Sequence, residues 1–237
     1  MIDDAACTVG PANRAGRECH RSEGTGRAGA TFDESVTGDR SSTSHTVRMA
    51  ANIIYGSGIP GESELRLCGD VSGAKRAVEL GVSDWFNSIE FARAGGKAIA
   101  VDADPERIAQ MRSRADAAEV TVQCIQADLA DLGDITSATC EVVVASQTIV
   151  DVDDLGRLLR QVHRILKPSA FFVISMPHPF GAVSQTSPYG TAARTISDWF
   201  TALERANFRV DQLRELGVGP TQPTPTTLVL RARKEGS

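Results

Sequence analysis

Asp102 closes an apolar run, Lys97-Ala-Ile-Ala-Val101, and stands 21 positions beyond Gly81, the residue that ends an earlier run, Ala77-Val-Glu-Leu80. An acid at the end of a second strand, about 20 residues after a glycine turn at the end of a first, can accept both vicinal hydroxyls of a ribose. Each such charge-assisted bond contributes about 1.5 to 3 kcal/mol. Asp104 is explained by helix capping instead, because Pro105 follows it at a first helical position. His178 lies between Pro177 and Pro179. An imidazole titrating near pH ~6.5 suits a general base for a hydroxyl or amine; the competing reading is an ordinary loop residue. His163 falls on a helical stripe, His20 and His45 lie near the N-terminus, and the five cysteines include no C-x-x-C pair, so no metal is expected.

These residues need a scaffold that brings strand ends together. Five apolar runs supply it: Ala77–Leu80, Lys97–Val101, Val120–Ile125, Glu141–Ala145 and Ala170–Met176. Continuous runs of this kind fit strands buried on both faces. Helical segments separate them. One follows Asp104 with Ile108, Met111 and Ala115 on one face, and another carries Leu155, Leu158, Leu159, Val162 and Ile165 and stops before Pro168. Asp151 and Asp153, just ahead of the second helix, are expected to interact with its dipole. The end of the chain changes pattern. After a helix near Ile196 to Ala206 come strands near Phe208 to Leu213 and Thr226 to Arg233, joined by a Pro- and Gly-rich stretch that cannot be a crossover helix. The expected fold is therefore α/β, a doubly wound, mostly parallel seven-stranded sheet with a reversed C-terminal strand.

Residues 1–48 contain no Leu and one aromatic, Phe32, too little apolar area to offset ordering entropy, so they are expected to be a disordered tail ahead of a domain over 49–237. Met49 to Tyr55 has the mixture of a short helix, and a Gly/Pro turn follows it.

Within that order of elements, the chain resembles the class I S-adenosylmethionine-dependent methyltransferases from about Tyr55 to the C-terminus. Leu67-Cys-Gly-Asp-Val-Ser-Gly-Ala-Lys-Arg76 and Ala77-Val-Glu-Leu-Gly81 look like the lead-in and first motif, Val101 to Pro105 like the acid after the second strand, and Gln126-Ala-Asp128-Leu129 like the adenine-binding motif. Val162-His-Arg-Ile-Leu-Lys-Pro168 is similar to the family's R-x-L-K-P-G-G segment, with Ser169 and Ala170 in place of the glycines. The resemblance implies S-adenosyl-L-methionine as cofactor, held by Glu79, Gly81, Ser83, Asp102, Ala103, Asp128, Leu129 and Ser146. Asp128 would accept from the adenine amino group and Glu79 would face the cofactor's ammonium, while His178 stays the candidate catalytic base by its own chemistry. Ser83 and Trp85 stand where the family has its second and third glycines.

Composition narrows the partners. Lys and Arg number 25 against 30 Asp and Glu, a formal charge of −5, which gives no basic field for nucleic acid or anionic lipid. No apolar run approaches the roughly 18 residues of a membrane span, and the odd cysteine set fits a cytoplasmic protein. The expected function is methyl transfer to a small-molecule acceptor. Two alternatives stand beside it: a methyltransferase-like binding protein without turnover, motivated by Ser83 and Trp85, and an NAD-dependent oxidoreductase, which Asp102 would suit but which lacks the G-x-G-x-x-G turn.

Overall fold

The computed structural model describes residues 51–183 and 186–236. The expected tail over 1–48 lies outside these residues. The described chain runs α1 (Glu62–Leu65), β1 (Arg76–Leu80), α2 (Asn87–Arg93), β2 (Lys97–Asp102), α3 (Pro105–Ala117), β3 (Val122–Gln126), β4 (Cys140–Ser146), α4 (Leu155–Ile165), β5 (Leu166–Pro177), α5 (Ile196–Arg205), β6 (Phe208–Leu216) and β7 (Thr227–Lys234). Its strands form one seven-stranded sheet in the order β3-β2-β1-β4-β5-β7-β6. Neighbours from β3 to β5 pair in parallel, and β7 runs antiparallel to both β5 and β6, as the Pro-rich connection requires.

Alternation along each strand separates two apolar layers. Val78, Leu80, Val143, Ala145, Phe172 and Ile174 face α4 and α5, where Leu155, Leu158, Leu159, Val162, Ile165 and Trp199 are buried. Ala77, Ala98, Val142, Val144 and Val173 face the other way, onto Phe91 of α2 and the segment 51–71. Beside that second layer, Phe86, Ile89, Ile108 and Met111 pack α2 and α3 together over Ala100. Asp104 caps α3 by accepting from the Glu106 amide at 2.8 Å.

Two elements differ from the sequence reading. Residues 51–55 are extended, not helical, and their burial alternates: Ala51, Ile53 and Tyr55 point inward, Asn52 outward. The β-branched pair Ile53-Ile54 favours this period-two arrangement, and the polar groups that receive the segment hold it there. Strand β5 starts at Leu166, directly after α4, and its pairing with β4 slips between Cys140 and Val142. Ser169, at φ 62°, adopts the left-handed conformation at that irregularity.

The segment before β1 is knotted by a buried carboxylate. Glu62 accepts from the Tyr55 hydroxyl at 2.6 Å and from the amides of Leu67 and Cys68 at 2.8 Å each. Removing it strands the buried amides of Leu67 and Cys68, each costing about 1 to 3 kcal/mol, and leaves the Tyr55 hydroxyl only the Cys68 Sγ at 3.1 Å, whereas Tyr55→Phe removes one bond worth about 1 kcal/mol and that weak thiol contact. Urea denaturation should show Glu62→Ala losing at least about twice the stability lost by Tyr55→Phe; equal losses would contradict this reading.

Candidate functional site

Sheet order reverses between β1 and β4, and in open α/β sheets ligands bind beyond the carboxyl ends of the strands at such a point. The loop leaving β1 begins at Gly81, with φ 76° and its amide on the Val101 carbonyl at 2.8 Å. A side chain at Gly81 would meet the Thr148 Cβ at 2.4 Å, so only glycine allows the two strand ends to approach this closely. Thr148 uses that proximity to donate its hydroxyl to the Leu80 carbonyl.

Asp102, at the end of β2, reaches the same loop. Its Oδ2 accepts from the Val82 amide at 2.7 Å and its Oδ1 from the Asp104 amide at 2.8 Å. A carboxylate offers about four lone-pair sites, so two remain for a ligand. Ala103 is exposed beside it, and the Ala127 amide bonds the Asp102 carbonyl at 3.0 Å, which brings Asp128 and Leu129 to the neighbouring strand end. Asp128 is exposed and turns its Oδ1 to the Ala130 amide at 2.7 Å.

Glu79 does something other than face a ligand. It is 0% exposed. Its Oε1 accepts from the Ser83 hydroxyl at 2.6 Å and from the amides of Ser83 and Asn87 at 3.1 Å, and its Oε2 from the Ser88 amide at 2.7 Å. The expectation that it binds an ammonium is corrected: by alternation it points under α2, and it organises the loop from inside. Burial pushes its carboxyl above the ordinary carboxylate range in spite of those bonds.

The positions of Ser83 and Trp85 decide whether the loop can accept a cofactor. Ser83 turns its hydroxyl inward to Glu79, away from the strand ends. Trp85 is half-buried and lines a cleft between α2 and α3 with Phe86, Ile89, Arg93 and Arg114. The helix begins only at Asn87, after Phe86 at φ 52° with the Arg114 guanidinium 4.2 Å over its ring, and Asp84 pairs with Arg107 at 2.8 Å. Side chains therefore brace this loop where glycines would have freed it.

Ser146, at the end of β4, is buried and hydrogen-bonded to the Asn87 amide group and the Ile54 carbonyl, both at 3.0 Å. His178 lies elsewhere. Its ring is buried, with Nδ1 accepting from the Phe180 amide at 3.2 Å, which leaves the proton on Nε2 for Glu215 at 3.0 Å, and Phe180 stacks on it. With both nitrogens engaged, the general-base expectation is replaced by a packing role. A cavity of about 460 Å³ does open at the ends of β4 and β5, lined by Asp151, Asp153, Met176, Arg194, Asp198 and Trp199 among others. The acid that caps α4 is Asp154, accepting from the Arg157 amide at 2.7 Å, so Asp151 and Asp153 stand outside the helix. Asn87 and Thr148 were missed by sequence reasoning, since an amide and a hydroxyl next to strand ends carry no spacing signal.

Residues 78–174 match the profile of a family described as methyltransferase domain. Over 105 residues the chain is 32% identical to a probable S-adenosylmethionine-dependent methyltransferase of Mycobacterium tuberculosis, a match covering 44% of this chain and 36% of that relative. The chain thus spans about a third of the curated relative's length. Over these residues the chain is similar to S-adenosylmethionine-dependent methyltransferases. Its fold is shared by a putative methyltransferase from Listeria monocytogenes, with TM-score 0.61, 18% identity and coverage of 72% of this chain and 94% of that one. A methyltransferase from Mesorhizobium loti matches similarly, with TM-score 0.58, 21% identity and coverage of 70% and 93%. The residues present fit a cofactor such as S-adenosylmethionine: the Gly81 turn lacks a side chain, Asp102 keeps free acceptor capacity, and neither Ser83 nor Trp85 projects over the strand ends.

Two outcomes follow. Trp85→Gly should leave affinity for S-adenosylhomocysteine within about twofold, and its stability loss should fall short of the about 3 to 5 kcal/mol of a fully buried aromatic; calorimetry showing markedly tighter binding would mean that the indole obstructs the cofactor. For Glu79, the folded-state pKa lies above the unfolded one, so its contribution is full below the ordinary carboxylate range and lost as pH rises through the raised value. Glu79→Gln should therefore gain on wild type in urea midpoint as pH rises above the ordinary carboxylate range, and a pH-independent gap would contradict the burial argument.

Proposed function

We propose that this domain binds S-adenosyl-L-methionine over the ends of β1, β2 and β3 and directs its methyl group to a small-molecule acceptor in the cavity at the ends of β4 and β5. The observation that carries the reading is Asp102, whose carboxylate holds the Val82 amide of the first loop while retaining acceptor sites for a ribose diol. When bound, the cofactor supplies an electrophilic methyl group on a sulfonium. Asp102 binds the ribose; Ala103, Asp128 and Leu129 adjoin the adenine; Gly81 and the Ser83 backbone border the methionine end, with Ser146 buried behind it. Glu79 fixes the loop from beneath.

The cavity volume, about 460 Å³, lies in the range of sites for small ligands, about 300 to 1,000 Å³. Its floor is organised by Arg194, whose guanidinium donates to the carbonyls of Val150 and Val152 at 2.6 Å each. Such a site can act by orientation alone, since holding two reactants in line supplies about 7 to 11 kcal/mol of a displacement barrier. The acidic chain favours neither nucleic acid nor membrane, and among the described residues no helix is long and apolar enough to cross a bilayer. The free thiols Cys68, Cys124 and Cys140 fit a reducing cytoplasm.

Titration calorimetry with S-adenosylhomocysteine tests the cofactor assignment. Wild type should bind, and Asp102→Asn, which keeps an acceptor for the Val82 amide, should bind roughly tenfold or more weakly, the scale of one lost charge-assisted bond. Equal affinity would remove Asp102 from the site, and a wild type that does not bind would overturn the reading.

A further inference from the structure

Asn87 is 0% exposed and makes contacts that no feature of α2 requires. Its Oδ1 accepts from the Ile54 amide at 3.0 Å and its Nδ2 donates to the Ile54 carbonyl at 2.9 Å, an amide-to-backbone pair that grips one residue from both sides. The same Nδ2 reaches Ser146 at the end of β4, and Ser146 donates to the Ile54 carbonyl as well. One residue further on, Ser175 of β5 donates to the Tyr55 carbonyl at 2.5 Å. Then Gly56 passes so close to Gln147 that a side chain there would lie 2.7 Å from its Nε2. Residues 53–56 thus cross the carboxyl ends of β4 and β5 without pairing to a strand, held by polar side chains from α2, β4 and β5. Gln147 adjoins Thr148, and Thr148 abuts Gly81, so this crossing is contiguous with the first loop.

We propose that Asn87 is a positioning residue: it docks residues 53–56 as a strap that forms one wall of the cofactor cleft, so that cofactor affinity depends on a side chain that does not touch the cofactor. The inference rests on the cofactor reading above. It explains why a fully buried amide sits where α2 begins. The Asn87 backbone amide is held by Glu79, so the residue that shapes the loop also fixes the anchor of the strap. Loss of the amide leaves the Ile54 amide without its partner and the Ile54 carbonyl held by Ser146 alone, and the strap is released at the edge nearest the loop.

Hydrogen-deuterium exchange on the full chain, with and without S-adenosylhomocysteine, tests this in the wild type. Ligand should slow exchange in residues 53–56 together with residues 81–88. Asn87→Ala should speed exchange at Ile54 and weaken the ligand about tenfold, mainly through faster dissociation, the scale of one buried hydrogen-bonded tie. Ile165→Val, a comparable loss of packing on the opposite face of the sheet, should leave affinity unchanged. Ligand that protects 81–88 and not 53–56, or Asn87→Ala binding as tightly as wild type, would overturn the strap while leaving the cofactor reading intact. A wild type that binds no ligand would overturn both. Should Asn87→Ala fail to fold, the wild-type exchange pattern decides alone.

Discussion

The arrangement depends on one buried carboxylate. Glu79 projects from the middle of the sheet into the layer beneath α2, where a charge without partners would be prohibitively costly, and it is tolerated because four donors converge on its two oxygens. Those donors belong to Ser83, Asn87 and Ser88, the residues that turn the chain from β1 into α2. A loop that glycines would leave free is thereby given a single course by hydrogen bonds to an acid on the strand it leaves. The course is reinforced from outside by Asp102 on the Val82 amide and by Asp84 with Arg107.

Consequences spread outward from that loop. Because its path is settled, Gly81 can lie against Thr148 and bring the ends of β1 and β4 together at the point where strand order reverses. Because α2 starts where Glu79 places it, Asn87 meets Ile54, and the segment before the domain's first strand is drawn across β4 and β5. The side of the cleft assigned above to the cofactor is therefore built from backbone positions held by buried polar groups. The side proposed for the acceptor is built on a longer connection between β5 and α5 and borders a cavity of about 460 Å³.

Much of the fold could be read from the chain because both faces of the sheet are covered. Strands such as Val142 to Ala145 are apolar throughout, and the stripe from Leu155 to Ile165 has one period and one layer to face. The position of Asp102 at the end of β2, beside the first loop, was legible for a similar reason, since it closes an apolar run 21 positions after Gly81. Other features turn on tertiary partners that spacing does not encode. Residues 51–55 look helical by composition, yet Asn87 and Ser175 supply hydrogen bonds to an extended backbone. His178 has the intrinsic chemistry of a base, but Phe180 and Glu215 occupy its nitrogens. Glu79 was recognised as belonging to the first motif, and only the side to which its strand turns it separates a ligand contact from an internal brace.

A crystal structure of the protein with S-adenosylhomocysteine examines this account most directly. It should show the ribose hydroxyls on Asp102, Glu79 still closed on Ser83, Asn87 and Ser88, and residues 53–56 beside the amino-acid end of the ligand. Ligand lodged away from the ends of β1 and β2, or Glu79 turned out of the core to meet the ligand's ammonium, would contradict it.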